Sequence, residues 1–232
     1  MRSLFRTLGP SLLRDIVLVC LADAVVGMSY GAITTSAGFH PWVPVLASLV
    51  VFAGASQFLV TGIVAAGGSL PAAVAAGLLV NARHLPFGLA MGDVLGRGAV
   101  RRLAGSHLLI DESVAFALAQ AHPRRRRAAF WTCGVSLFAC WNLAVCAGAL
   151  AGRAVHDTAA LGLDAAFPAV LLALVLPALR TAAKARAAAV GAVIALVSTP
   201  LLPAGLPVLL SLAGLLMAGR PHPPAAPEGA TP

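Results

Sequence analysis

Residues 16–37 read Ile-Val-Leu-Val-Cys-Leu-Ala-Asp-Ala-Val-Val-Gly-Met-Ser-Tyr-Gly-Ala-Ile-Thr-Thr-Ser-Ala, with a single charged side chain, Asp23. A helix rising about 1.5 Å per residue needs about 20 apolar residues to cross roughly 30 Å of hydrocarbon. This stretch is long enough, and it runs on without the alternation of a lipid-facing barrel strand, so it reads as a transmembrane helix. Arg2, Arg6 and Arg14 precede it, and Gly38-Phe39-His40-Pro41 closes it with a turn. Ala22-Asp23-Ala24 has the look of a signal-peptide cleavage site, but the apolar run continues to Ala37, so an uncleaved first span is expected.

The rest of the chain has the same character. Of 232 residues, 59% are hydrophobic and 10% charged, and the mean hydropathy is +0.92. A soluble domain carries about 25% charged residues, so a water-facing surface cannot be assembled here. The expected fold is all-α: a polytopic transmembrane helical bundle of about six to eight spans with broken or re-entrant helices, and the lipid bilayer is its solvent. The net charge of +8 does not point to nucleic acid, because the arginines gather in short gaps between apolar runs, where topology signals sit. Cys20, Cys133, Cys140 and Cys146 lie inside apolar runs with no CxxC spacing, and they read as small buried hydrophobes.

A second run extends from Trp42 to Ala65, and a third from Pro71 to about Gly92 after the turn Gly67-Gly68-Ser69. A more polar segment, Leu103 to Ala121, must pack inside the protein or lie at the interface. Ala128 to Leu150 is a clear span, Pro168 opens another that ends at Arg180, and Ala187 to Ala218 reads as a helical hairpin folded at Pro200, Pro203, Gly205 and Pro207. The domain plan is therefore a basic cytoplasmic N-terminus (1–15), a transmembrane domain (16–218) and a disordered Pro-rich tail (219–232). With the N-terminus inside and every run crossing, Arg2, Arg6, Arg14, Arg124 to Arg127, Arg180, Lys184, Arg186 and Arg220 fall on the inner side. Arg97, Arg101, Arg102 and Arg153 fall outside. If the third run and the polar segment are both re-entrant, Arg97 to Arg102 also move inside.

An ionisable group at the centre of a span costs roughly 2.5–3.5 kcal/mol on insertion scales, which makes Asp23, Arg83, His84, Asp111 and Glu112 functional candidates. Asn81-Ala82-Arg83-His84-Leu85-Pro86 is the most informative run. Pro86 lacks an N–H and clashes with the carbonyl of Ala82, so a broken helix is expected in the middle of hydrophobic sequence. Irregular backbone at that depth is tolerated where it is buried or lines water, and transporters aim its free N–H and C=O groups at substrate. Arg83 can grip a carboxylate with two parallel bonds, or it can neutralise itself on Asp111, Glu112 or Asp23.

Asp23, Gly27 and Gly31 share a helix face, and Gly27-Met28-Ser29-Tyr30-Gly31 is a small-xxx-small pattern that admits a close neighbour; the plain alternative is a packing face with Asp23 near the inner interface. Around Phe52-Ala53-Gly54-Ala55-Ser56-Gln57-Phe58, Ala53, Gln57 and Thr61 share one stripe: Gln57 either bonds a neighbouring helix, or the stripe lines a cavity beside small residues that expose backbone. His107 and Asp111 are four apart, which is weak as a metal site. A carboxylate at Asp111 or Glu112, or the imidazole of His84, is better suited to carrying a proton.

Together these runs resemble the AzlC (YgaZ) family of branched-chain amino acid exporters. The matching pieces are residues 27–31, 52–58 and 79–85, Asp111-Glu112, and Leu163-Asp164-Ala165-Ala166-Phe167-Pro168, within roughly Asp15 to Met217. The resemblance implies a multi-pass inner-membrane protein that exports valine, leucine, isoleucine or similar apolar amino acids, with a small AzlD-type (YgaH) membrane subunit as partner and with proton-gradient coupling. The chain departs from the family's pattern at Pro86 and in its Pro-rich tail. In the resulting picture Arg83 takes the substrate carboxylate, Asn81, Gln57, Ser56 and Gly54 complete the binding site, and Asp111, Glu112, His84 and Asp23 pair ions or move the proton. Phe52, Phe58 or Phe87 would hold the apolar side chain. No metal or cofactor is expected. A membrane-embedded metal-dependent enzyme using His84, His107 and Asp111 is the rival reading, although HExxH and P-loop signatures are absent from the sequence. A non-transporting scaffold is a second rival.

Overall fold

The computed structural model describes residues 7–96, 98–154, 172, 176, 179, 181–202 and 206–218. Two compact units, Met1–Ala173 and Leu174–Pro232, are each internally packed. The described residues are helical, with no strand among them. In the first unit the helices are α1 (Pro10–Ser36), α2 (Trp42–Val50), α3 (Gly54–Ala65), α4 (Leu70–Asn81), α5 (His84–Ala90), α6 (Gly92–Leu95), α7 (Ala99–His107), α8 (Asp111–Leu118) and α9 (Pro123–Ala154).

The axis of this unit is the pair α1 and α9, held together by glycines on both sides. A Cβ on Gly31 would strike the backbone of Val145 and Ala149, one on Gly148 the carbonyl of Met28, and one on Gly152 the backbone of Ala32. Small residues of this kind let two backbones approach, which replaces the hydrophobic drive that lipid cannot supply. The sequence shows half of the device at Gly27 and Gly31; the partner is Gly148-Ala149-Leu150-Ala151-Gly152 on α9. The contacts advance together, Gly27 meeting Trp141, Gly31 meeting Val145 and Gly152 meeting Ala32, so the two helices run parallel.

A parallel pair requires the intervening chain to return, and the continuous stretch Leu70–Ala90 does so. Among the described residues, it is one of three helices long and apolar enough to cross a membrane, with Pro10–Ser36 and Pro123–Arg153. Its far end docks on the first turn of α9, where Arg126 donates to the Ala90 carbonyl at 2.7 Å and Arg127 to that of Asp93 at 2.8 Å. Its near end follows the turn at residues 66–69, antiparallel to α3, and Ser56 Oγ reaches the Gly77 carbonyl at 3.3 Å.

The path of the second run follows from this, and it corrects the sequence reading. The run Trp42–Ala65 is not one crossing. It starts at the α1 C-terminal end, breaks at Val51-Phe52-Ala53, and turns back as α3 to the same end. The break has extended backbone, with φ −118° at Val51 and −155° at Ala53. The polar fourth segment is a second hairpin of the same kind from the opposite end: α7 rises from the end occupied by the α9 N-terminus, breaks at Leu108-Leu109-Ile110 and returns as α8. The re-entrant pair is therefore the second and fourth runs, not the third and fourth.

The break expected at Pro86 is milder than its sequence suggested. Ala82 and Arg83 keep right-handed helical angles, and the Ala82 carbonyl accepts from Leu85 N at 3.1 Å in a tightened turn. Pro86 then lies within the first turn of α5, where a missing N–H costs little, so the helix kinks instead of opening.

In the second unit, α10 (Ala182–Ser198) packs on a 3₁₀ helix (Ser211–Ala218) that follows α11 (Leu206–Leu210). Gly191 lies against Ser211, and Gly214 against Ala187 and Gly191, so the expected helical hairpin is formed through glycine contacts. The motif at 163–168, the span expected from Pro168 to Arg180 and the tail 219–232 fall wholly or mainly outside the described residues.

Candidate functional site

The two broken tips meet halfway along α9. At about 1.5 Å per residue, Phe138 stands about 23 Å into a helix about 48 Å long. Its ring packs edge-on against both Phe52, at 5.2 Å between centroids, and His107, at 5.3 Å. Phe52 and His107, one from each hairpin, are 6.3 Å apart.

Each tip is held by side chains that satisfy its freed backbone. At the first, Gln57 is 3% exposed; its Nε2 donates to the Val51 carbonyl, and its Oε1 accepts from Trp141 Nε1 at 3.2 Å. Ser48 Oγ donates to Asn142 Oδ1 at 2.7 Å nearby. Gly54 lets the Trp141 ring approach, since a Cβ there would overlap it. At the second tip, Ser113 Oγ accepts from Ile110 N at 3.1 Å and donates towards the carbonyls of Leu108 at 2.8 Å and Ile110 at 3.0 Å. Helices α3 and α8 thus both start at mid-depth. The first amides of a helix have no partner within it and carry its positive end, so two such ends are presented where the tips meet. Helix α3 has no side-chain cap.

Against this stands an ion pair. Arg83, in the kink of Leu70–Ala90, lies 3.0 Å from Asp111 Oδ2, the first residue of α8; the two side chains are 41% and 42% exposed. His84 Nδ1 is 3.0 Å from the Asn81 carbonyl, and its ring is 6.0 Å from that of Phe87. Among the described residues, His84 Nε2 and Asn81 Oδ1 are buried with no hydrogen-bond partner. Such atoms are costly to leave unpaired and mark a place where a ligand's polar groups would be satisfied. Glu112 is half-buried beside Asp111 and lies within electrostatic reach of Arg83 and of Asp23 on α1. Asp23 sits about 20 Å along a helix about 40 Å long, at mid-helix and not near its inner end as the plain packing reading had it.

The structure therefore gathers Asn81, Arg83, His84, Asp111, Glu112 and Asp23 into one neighbourhood. Gly54, Ser56 and Gln57 belong to the facing tip, where their side chains or lack of one serve internal contacts. Phe58 is fully buried edge-on to Tyr30, at 5.2 Å between centroids. Trp141 and Asn142, which organise the first tip, were not singled out from sequence. Their signal is a polar pair in the otherwise apolar run 128–150.

The pattern of the family described as AzlC protein matches residues 18–155, more than half of the chain. The chain belongs to the AzlC family. It is 30% identical over 177 residues to the inner membrane protein YgaZ of Escherichia coli K12, covering 72% of this chain and 67% of that protein. It is 32% identical over 99 residues to an uncharacterized membrane protein of Helicobacter pylori strain 26695, covering 43% of each. It is also 31% identical over 88 residues to the branched-chain amino acid transport protein AzlC of Bacillus subtilis, covering 38% of this chain and 35% of that one. No solved structure matches it. As a member of the AzlC family, the chain is a multi-pass helical membrane protein, and residues 18–155 hold the parallel pair and both broken hairpins.

Proposed function

We propose that this protein is a secondary transporter that exports branched-chain or other small apolar amino acids across the bacterial inner membrane. The observation that carries the reading is the half-exposed Arg83–Asp111 pair at the meeting point of two broken hairpins. A charge at membrane depth is retained against its insertion cost when it handles substrate or ions. The zwitterionic end of an amino acid offers a carboxylate to Arg83 and an ammonium to Asp111, so substrate competes for both halves of the pair. Backbone amides of Gly54 and Ser56 at the uncapped start of α3 assist the carboxylate, as half-helix N-termini do in transporters. Asn81 Oδ1 accepts from the ammonium, and Phe87 bounds the apolar side chain.

Glu112 and Asp23 hold carboxylates within reach of the site, and with His84 they supply a route for a coupled proton. The names of the relatives in Escherichia coli and Bacillus subtilis favour the inner membrane and a branched-chain substrate. The concentration of arginine at the end bearing the α9 N-terminus makes that end cytoplasmic, together with the chain's N-terminus. A small AzlD-type subunit completes the transporter.

The test is export of labelled leucine from dipeptide-fed cells expressing the chain, with and without an AzlD-type partner. Faster export by the wild type, lost in Arg83→Ala at equal membrane levels, supports the reading. Unchanged export by Arg83→Ala in correctly inserted protein removes the assigned site.

A further inference from the structure

We propose that the arginine-rich end of the first unit binds the phosphate group of an anionic phospholipid, in a cavity between α6, α7 and the start of α9. The cavity holds about 780 Å³ and is lined by Arg101, Arg124, Arg127, Asp93, Trp131 and Thr132, among others. This is room for a phosphodiester headgroup, and exposed Val135 in the wall carries its apolar margin towards the acyl chains.

Three guanidinium groups face one carboxylate, and Asp93 is already shared with Arg126, whose Nη1 is 3.9 Å from its Oδ2. Among the described residues, Arg101 and Arg124 have no hydrogen bond or carboxylate partner; Arg101 instead lies over the Trp131 ring, 5.9 Å from its centroid. Residues 124–127 occupy the first turn of α9, which contains no acidic residue. A helix N-terminus favours anions, so a guanidinium there without a partner, that of Arg124, is unfavourably placed until an anion arrives. The depth is that of a headgroup as well: Trp131 sits about two turns from the start of a membrane-crossing helix, where interfacial aromatics gather. Basic pockets between membrane helices at a cytoplasmic surface suit anionic headgroups.

The experiment uses the full chain, purified in a neutral detergent, and reads melting temperature and lipid binding by titration. The arms are phosphatidylglycerol, phosphatidylcholine and inorganic phosphate alone. The expected result is saturable binding and stabilisation by phosphatidylglycerol, little effect of phosphatidylcholine, and about thirtyfold weaker phosphatidylglycerol binding by the double variant R101Q/R124Q, the size expected for two lost basic contacts. Arg102→Gln, exposed at the same end outside the cavity, keeps wild-type binding. If the double variant does not fold, Arg124→Gln alone serves, with about fivefold weakening from one lost contact. Equal binding of the two lipids, or an unchanged affinity in the cavity variants, overturns the site. Stabilisation by inorganic phosphate equal to that by phosphatidylglycerol overturns the lipid as its source.

Discussion

Arg83 makes the strongest demand on chemistry, because a guanidinium at mid-depth is kept only with partners that match its fork. Lysine there retains the charge but loses the two parallel bonds to a carboxylate. Arg83→Lys is therefore expected to lower leucine export at least about tenfold at unchanged membrane levels, since the charge-assisted pair is worth well over one kcal/mol. Trp141 makes a quieter demand. Its indole N–H is a partner of Gln57 Oε1, which is buried with the rest of that side chain. Trp141→Phe leaves the oxygen unsatisfied and is expected to cost about 1–3 kcal/mol, seen as a lower melting temperature in detergent. A melting temperature equal to wild type would show that Gln57 finds another donor.

At the scale of elements, the parallel contact of α1 and α9 is built by backbone touching backbone. Gly148 has the Met28 carbonyl where a side chain would start, and backbone cannot swing aside as a flexible side chain can. Gly148→Leu is expected to force the two helices apart and to abolish monodisperse protein on size exclusion. Gly92→Ala, with open space around it, is expected to leave the elution profile unchanged. The broken hairpins obey a related rule. Each exposes carbonyls at mid-depth, and each break is supported by a nearby side chain, Gln57 for Val51 and Ser113 for Leu108 and Ile110. Irregular backbone survives at that depth because protein, not lipid, surrounds it.

At the scale of the first unit, the path of the chain can be tested by sidedness. The re-entrant course of α2 and α3 puts the turns at Ala37 and Ala66 at the same end, both exposed, and places Ala121 at the other. In a protein whose native cysteines are replaced, Ala37→Cys and Ala66→Cys are expected to react with an impermeant thiol reagent from one side, and Ala121→Cys from the opposite side. If Ala66→Cys labels with Ala121→Cys, residues 42–65 cross as a full span and the two tips do not meet. With this topology Arg101 and Arg102 lie at the end bearing the α9 N-terminus, and Arg153 lies at the other end of the first unit.

The sequence by itself determined the solvent, the helical class, the family and the residues around Arg83, because apolar length, intramembrane charge and short motifs are local properties. It also showed one half of the glycine contact, at Gly27 and Gly31. The tertiary structure decided which runs cross and which turn back. Trp42–Ala65 is as apolar as a span and has no proline at residues 51–53, so nothing local announces its break. The break depends on Gln57 meeting Val51 and Trp141, the last of these 84 positions away. Pro86 shows the converse, a strong local signal that a tightened turn at Ala82 absorbs with little disruption. The pairing of Arg83 with Asp111 was one of several permitted by charge alone, and the return of α8 from the second broken tip selected it.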